Sequence, residues 1–410
     1  MKTSFRRFAY NIFFRLSPLL ILLLLELSLR FLGAGESYVL FNVSADKQDY
    51  ELNPKYYRRF ISAEQFPDLD ILHQRFPVSK AEHTKRIFLI GDQSFCSLFP
   101  DANREQLLPG FYGPDSTYYD VVQLAAPLSN SFALAHLVGK LSGYDADACI
   151  VLSGAAEFYG LPQKSSWMQD IHNYWGLSAY VTLKAHRFLQ VLDRFVYLKR
   201  DRDEVFPPAD IDQWTVPAGS GQYRESLDFY ERNLQRMTRN ADFPLFFVNL
   251  PVNIKVHPYR SNFNDTEMKD AGIAKECAVL VDNADRFSLD RWIGELGAWE
   301  PETAIYYYSL AMINERRGEK EAAVKHYEEA LRRDGFRVRP QPGTDRLLRE
   351  YTALNGNVSI DVRAEAKAAA SGGLTVNRFF QNGTALNERG KTFFTDMLRT
   401  ALTEYYHKSE

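Results

Sequence analysis

The 410-residue sequence is short of cysteine, of clustered basic residues and of long apolar runs. Three cysteines, Cys96, Cys149 and Cys277, are too few and too scattered for a disulfide framework or a zinc site. Cys149 lies in the apolar run "ACIVL" and reads as a small core residue. No basic patch points to nucleic acid. No motif implies a cofactor or a metal. The apolar stretch near the N-terminus, Leu19 to Leu25, is too short to span a bilayer alone.

What is present is the composition of a globular chain, 45% hydrophobic and 25% charged. Aromatics at 14% fit a large core better than a stacking surface for sugars, because aromatic side chains dominate core burial. The net charge of −3 is uneven. Residues 1–33 hold Lys2, Arg6, Arg7, Arg15 and Arg30 against Glu26 alone, a net of +4, so the remainder carries −7. Extended from Leu16 to Leu32, the apolar stretch reaches spanning length by including Glu26 and Arg30. Those two residues stand one helical turn apart and pair in sign. A cleaved signal peptide ending at Gly33–Gly35 is the rival reading. The helical pattern continues through Arg30, which favours an uncleaved single-pass anchor. The basic excess places the N-terminus in the cytoplasm and the bulk on the periplasmic or extracellular side.

Residues 34–83 are polar and aromatic without a period and read as a tether and lead-in. Short apolar runs ending in turn residues follow at 86–91 ("RIFLIG"), 120–125 ("DVVQLA"), 148–154 ("ACIVLSG") and 244–250 ("PLFFVNL"). Helical patterns at 131–141, 180–198 and 223–237 lie between them, and 205–222 is a loop. Alternation of this kind predicts a parallel sheet covered on both faces. After residue 285 the pattern is helical only. Residues 304–335 resemble one tetratricopeptide repeat, with Leu310, Ala311, Gly318, Ala323, Tyr327, Ala330 and Leu331 at the pattern's spacings. A lone repeat has no copy to stack on, so it is expected to pack on the main domain or to receive a protein partner. "NVSIDV" (357–362) returns as a strand and 387–406 as a closing amphipathic helix. The expected organisation is therefore a three-layer α/β domain from residues 84–285 and 341–410, interrupted by a helical insertion at 286–340.

Residues 84–410 resemble the SGNH/GDSL hydrolases, in particular a membrane-anchored bacterial group with tetratricopeptide-like helices before its last block. "RIFLIGDQS" stands at the family's strand and nucleophile elbow, "DVVQLAAPLSNSFALAHLV" at its second block and "ACIVLSGAAEFYG" at its third. "PLFFVNLPVNIKVHPYRS" and "RFFQNGTALNERGKTFF" are similar to its later segments. The resemblance implies a flavodoxin-like parallel sheet with the site at the C-terminal edge of the strands. It also implies a serine nucleophile, a histidine base oriented by an acid, and an oxyanion hole from a glycine turn and an asparagine. In this sequence those positions fall on Gln93, His-to-Ala385, acid-to-Asn382, Gly-to-Ala125 and Asn-to-Ala156. Ala385 has no lone pair to act as base, and Ala156 has no amide to donate. Asp92, Glu157 and Asn253 remain as polar residues around the expected cleft. Glu157 reads as a hydrogen bond from strand end to helix start.

Two functions follow. The first is a binding or scaffold protein of the cell envelope that has lost catalysis and keeps a pocket for a glycan or acyl ligand. The second is an esterase or O-acyltransferase in which Ser94 is the nucleophile and His257, on a loop at a strand end, its base.

Overall fold

The computed structural model describes residues 2–60, 72, 74–102, 104–160, 174–197, 215–258, 303–370, 378–381 and 383–409. Asn382, Cys277 and residues 286–302 lie outside them.

The chain opens with helix α1 (Lys2–Phe31). Among the described residues no helix is long and apolar enough to cross a membrane. The expected transmembrane helix is therefore not supported. Residues 34–83 are expected to be a tether, but their described residues hold regular structure. They contain strands β1 (Phe41–Val43), β2 (Asp49–Leu52) and β3 (Arg75–Pro77) in one antiparallel sheet. These strands are too short for a hydrophobic period to show, but their aromatic residues are anchors. Phe41 and Phe76 meet edge to face with ring centres 4.9 Å apart, and both pack near Phe88. The buried Arg86 guanidinium donates to the Pro77 carbonyl at 2.7 Å and lies over the Phe76 ring.

The main sheet holds β4 (Thr84–Gly91), β5 (Phe111–Tyr112), β6 (Tyr118–Ala125), β7 (Ala148–Leu152), β8 (Leu245–Val248) and β9 (Val358–Ile360). Its order is β5-β6-β4-β7-β8-β9, with only β5 antiparallel. Numbered along the chain, the parallel strands run 2-1-3-4-5, the doubly wound order in which the connection reverses direction beside the first strand. Residues alternate between faces. Ile87, Leu89, Val121, Ile150, Leu152, Phe246 and Val248 point into one core and Phe88, Ile90, Val122, Leu124, Cys149, Val151 and Phe247 into the other. Burial on both faces explains why the strands read as continuous apolar runs.

The first face is covered by α2 (Gln93–Leu98), α10 (Val362–Ala369) and α11 (Glu388–Ser409), the last through Phe394, Leu398 and Leu402. The second is covered by α3 (Ser131–Leu141), α6 (Gly221–Asn240) and α9 (Pro342–Asn355). Residues expected as one helix at 180–198 form two, α4 (Tyr174–Leu183) and α5 (Arg187–Tyr197). Between them the chain closes tight turns, Ala185 N–H on Thr182 and His186 N–H on Leu183.

Helices α7 (Ala304–Arg316) and α8 (Lys320–Arg333) form a hairpin. Gly318 turns it at φ +79°, a conformation that favours glycine. Ala311, Ala323, Tyr327 and Leu331 pack on Val252 and Ile254, so the hairpin buries its apolar stripe on the main domain. A buried ion pair fastens the connection: Arg339 donates to Asp334 at 2.7 Å and to the Val256 carbonyl at 3.0 Å.

Candidate functional site

Strand β4 ends at Gly91, where any Cβ would run into the Phe95 side chain, so glycine permits the sharp turn into α2. Asp92 caps the helix, its carboxylate accepting the Ser94 N–H at 2.8 Å. Gln93 stands at the first helical position. Its N–H donates to the Ser129 carbonyl, and its side-chain oxygen accepts the Leu128 N–H at 2.6 Å. It therefore ties the elbow to the turn after β6 and carries no nucleophile.

Ser94 is 1% exposed and turned inward. Its hydroxyl oxygen accepts the Ala155 N–H at 2.9 Å and the Ala156 N–H at 3.0 Å. Two main-chain donors at the third block thus converge on one oxygen, the geometry of an anion-holding pair. Here the chain's own hydroxyl fills it. His257 is elsewhere. Its Nδ1 lies 2.7 Å from the Pro258 carbonyl and its ring meets Tyr308 of the hairpin edge to face. Among the described residues no hydrogen bond joins His257 to Ser94, and no Ser94–His257 dyad is formed. Cys96 offers no substitute, since burial pushes its thiol up to about 12. The Ser97 hydroxyl donates back to the Gln93 carbonyl.

Ala125 ends β6 in register with Gly91, and Ala156 opens a single 3-10 turn after β7. Both are buried. Glu157, the next residue, accepts the Ser131 N–H at 3.2 Å and the Ser131 hydroxyl at 2.6 Å, so it joins the end of one strand to the start of α3. The network continues: Asn233 of α6 donates to the Ser131 hydroxyl at 2.8 Å, and Tyr174 donates to Asn233 at 3.1 Å. Ser131, Asn233 and Tyr174 escape the motif reading. Asn233 carried a signal, because it falls on the apolar stripe of α6 formed by Tyr230, Leu234 and Met237. A polar residue at a core position needs a buried partner.

Asp92 and Glu157 are two buried carboxyls in one cluster. Burial raises both above the ordinary carboxylate range, and the Asp92 charge raises Glu157 further. The final block reaches the same edge from the other side. The Leu386 N–H donates to the Leu98 carbonyl at 2.9 Å, fastening Ala385 beside the end of α2. Asn253 donates to the Gly383 carbonyl at 3.1 Å and so links the fourth block to the last.

The cavity at the ends of β7 and β8, between Ser153, Tyr230, Asn249, Thr344 and Asp345, measures about 10 Å³, room for one water. A larger pocket of about 270 Å³ lies between Asp101–Leu107 and α11, lined by Glu105, Glu388 and Lys391, away from the convergent N–H pair. Among the described residues no cluster of His, Cys, Asp and Glu could hold a metal ion. Among the described residues the arrangement holds the elbow shut with hydrogen bonds and sets no histidine in hydrogen-bonding reach of Ser94. No family model matches the chain, and no curated protein matches it.

Proposed function

We propose that the chain is a membrane-attached protein of the SGNH-hydrolase type that has lost catalysis and serves as a binding or scaffold component of a bacterial cell envelope, with its bulk outside the cytoplasm. The observation that carries this reading is Ser94: its hydroxyl is buried and occupied by the Ala155 and Ala156 N–H groups, and among the described residues no histidine hydrogen-bonds to it. The 2-1-3-4-5 strand order agrees with the fold of that superfamily. Attachment is supported by α1, on which Leu16, Leu20, Ile21, Leu23, Leu24 and Leu27 are each about half exposed. An apolar cylinder of that extent in water marks a lipid or protein contact. The tetratricopeptide-like hairpin spends one face on the main domain and leaves the other to a protein partner.

The test is a serine-reactive fluorophosphonate probe, with turnover of a simple acyl ester, on the full chain and on Ser94→Ala. No labelling and no turnover above background are expected in either. Turnover in the native protein that disappears in Ser94→Ala would establish the hydrolase or acyltransferase instead.

A further inference from the structure

We infer that α4 and α5 form a shelf lying in the interfacial layer of the same bilayer that receives α1, fixed there by Glu26; the inference rests on the membrane attachment proposed above. A carboxylate in a leucine-rich helix needs a reason, and the structure supplies one. Glu26 is buried. One oxygen takes the Arg30 guanidinium at 2.7 Å. The other accepts the Phe188 N–H at 3.1 Å, in the first turn of α5. An anionic group there satisfies a donor that has no partner within the helix and complements the positive end of its dipole.

The chain leaving α1 adds three further ties. Arg187 donates to the Ala34 carbonyl at 3.2 Å. The buried Gln190 side chain accepts the Glu36 N–H at 2.7 Å and donates to the Glu36 carbonyl at 3.1 Å. The first two turns of α5 are thus bound to residues 26–36 by four hydrogen bonds. Wherever that stretch sits, α5 sits.

The depth follows from helix geometry. Glu26 precedes Leu32 by six residues, about 9 Å along the axis. Amphipathic helices lie about 5–10 Å into the boundary between headgroups and acyl chains. The surface turned outward is the one such a layer accepts: Trp175 is 77% exposed, Leu183 47% and Leu192 52%, beside Phe31 at 92% and Leu32 at 74%. Exposed tryptophan and leucine on α4 and α5, the latter tied to the end of α1, fit lipid; Trp is enriched at this depth.

The experiment uses the full chain in phosphatidylcholine–phosphatidylglycerol vesicles. A polarity-sensitive fluorophore is attached at Leu23→Cys, Leu192→Cys or, as control, the distant and exposed Leu354→Cys. Wild type carried through the same labelling corrects for native cysteines. Quenching is read from nitroxides placed deep or shallow on the lipid chains. Position 23 is expected to be quenched by deep nitroxides, 192 by shallow ones, and 354 by neither. In a Glu26→Leu background quenching at 192 is expected to fall at least twofold while that at 23 persists. Quenching at 23 without quenching at 192 overturns the shelf and leaves the attachment standing. Absence of quenching at both positions overturns the attachment itself. A blue-shifted but unquenched probe at 192 means that a protein covers the shelf, which also overturns the inference, as does a Glu26→Leu chain that keeps full quenching there.

Discussion

Ser94 stands one position beyond Gln93, and its surroundings give the residue a structural task. Replacing it by alanine removes the acceptor of two buried N–H groups, each of which costs about 1–3 kcal/mol when left unpaired. Ser94→Ala is therefore expected to lower the unfolding free energy by a few kcal/mol, read as a lower denaturant midpoint at unchanged slope. In a working elbow the serine is retained for chemistry, and its removal leaves stability unchanged or raised; a neutral Ser94→Ala would contradict the structural role. The buried carboxyls give a second prediction. Asp92 is raised from 3.8 to about 7 and Glu157 from 4.5 to about 8, chiefly by burial. A group raised on folding contributes stability that is present below its unfolded value and lost as pH rises through its folded one. His136 acts oppositely: burial depresses it from 6.5, so its contribution is lost only as pH falls below 6.5. Between pH 6.5 and 8 the carboxyls act alone, and the melting temperature is expected to fall across that window. Asp92→Asn and Glu157→Gln together should flatten the decline. An equally steep decline in the double variant would assign it to other groups.

At the scale of elements, β4, β6, β7 and β8 were legible because each is buried on both faces and bounded by turn residues, whereas β9, with Ser359 exposed, showed only as a short run returning after the helices. The ends of three of them stand in register, Gly91 with Ala125 on one side and with Leu152 on the other. The break between α4 and α5 was not legible: the group that restarts the helix is Glu26, 162 residues away. Strands β1 to β3 escaped for a different reason, since three or four residues carry no period. The hairpin packs on the main domain, one of the two expected outcomes, but the ion pair that fastens it was not legible, because it joins two charged residues at the end of α8 and in the loop after it. Arg339 and Asp334 are each 1% exposed on their side chains and 2.7 Å apart. Removing one partner of such a pair costs about 3–5 kcal/mol, because the other charge stays buried. Asp334→Ala should therefore expose the α7–α8 hairpin to limited proteolysis. Asp334→Leu with Arg339→Met should restore much of the protection; equal protection in Asp334→Ala would show that the pair does not hold the hairpin.

For the whole molecule, the decisive feature is that the cores on both faces of the sheet are completed by the segment after the hairpin. β9 pairs with β8, and α9, α10 and α11 come after the hairpin. They contribute Leu348 and Tyr351 to one face of the sheet and Ile360, Phe394, Leu398 and Leu402 to the other. Truncating a single buried leucine or phenylalanine to alanine costs about 2–5 kcal/mol, while a domain's total stability is only about 5–15 kcal/mol. Loss of this whole set exceeds what the remainder holds, and it also leaves the β8 edge unpaired. A chain ending at Pro340 is thus expected not to fold, although it retains Gly91, Ser94, Ala125, Ala156 and Glu157 together with the complete α7–α8 hairpin. The measurement is near-ultraviolet circular dichroism with thermal unfolding of the truncated chain beside the intact one. A cooperative transition within a few degrees of the intact protein would mean that residues 341–410 are an appendage and that the sheet is complete at β8. Loss of the transition, with exposure of apolar surface to a hydrophobic dye, is the result that two cores closed by the C-terminal segment require.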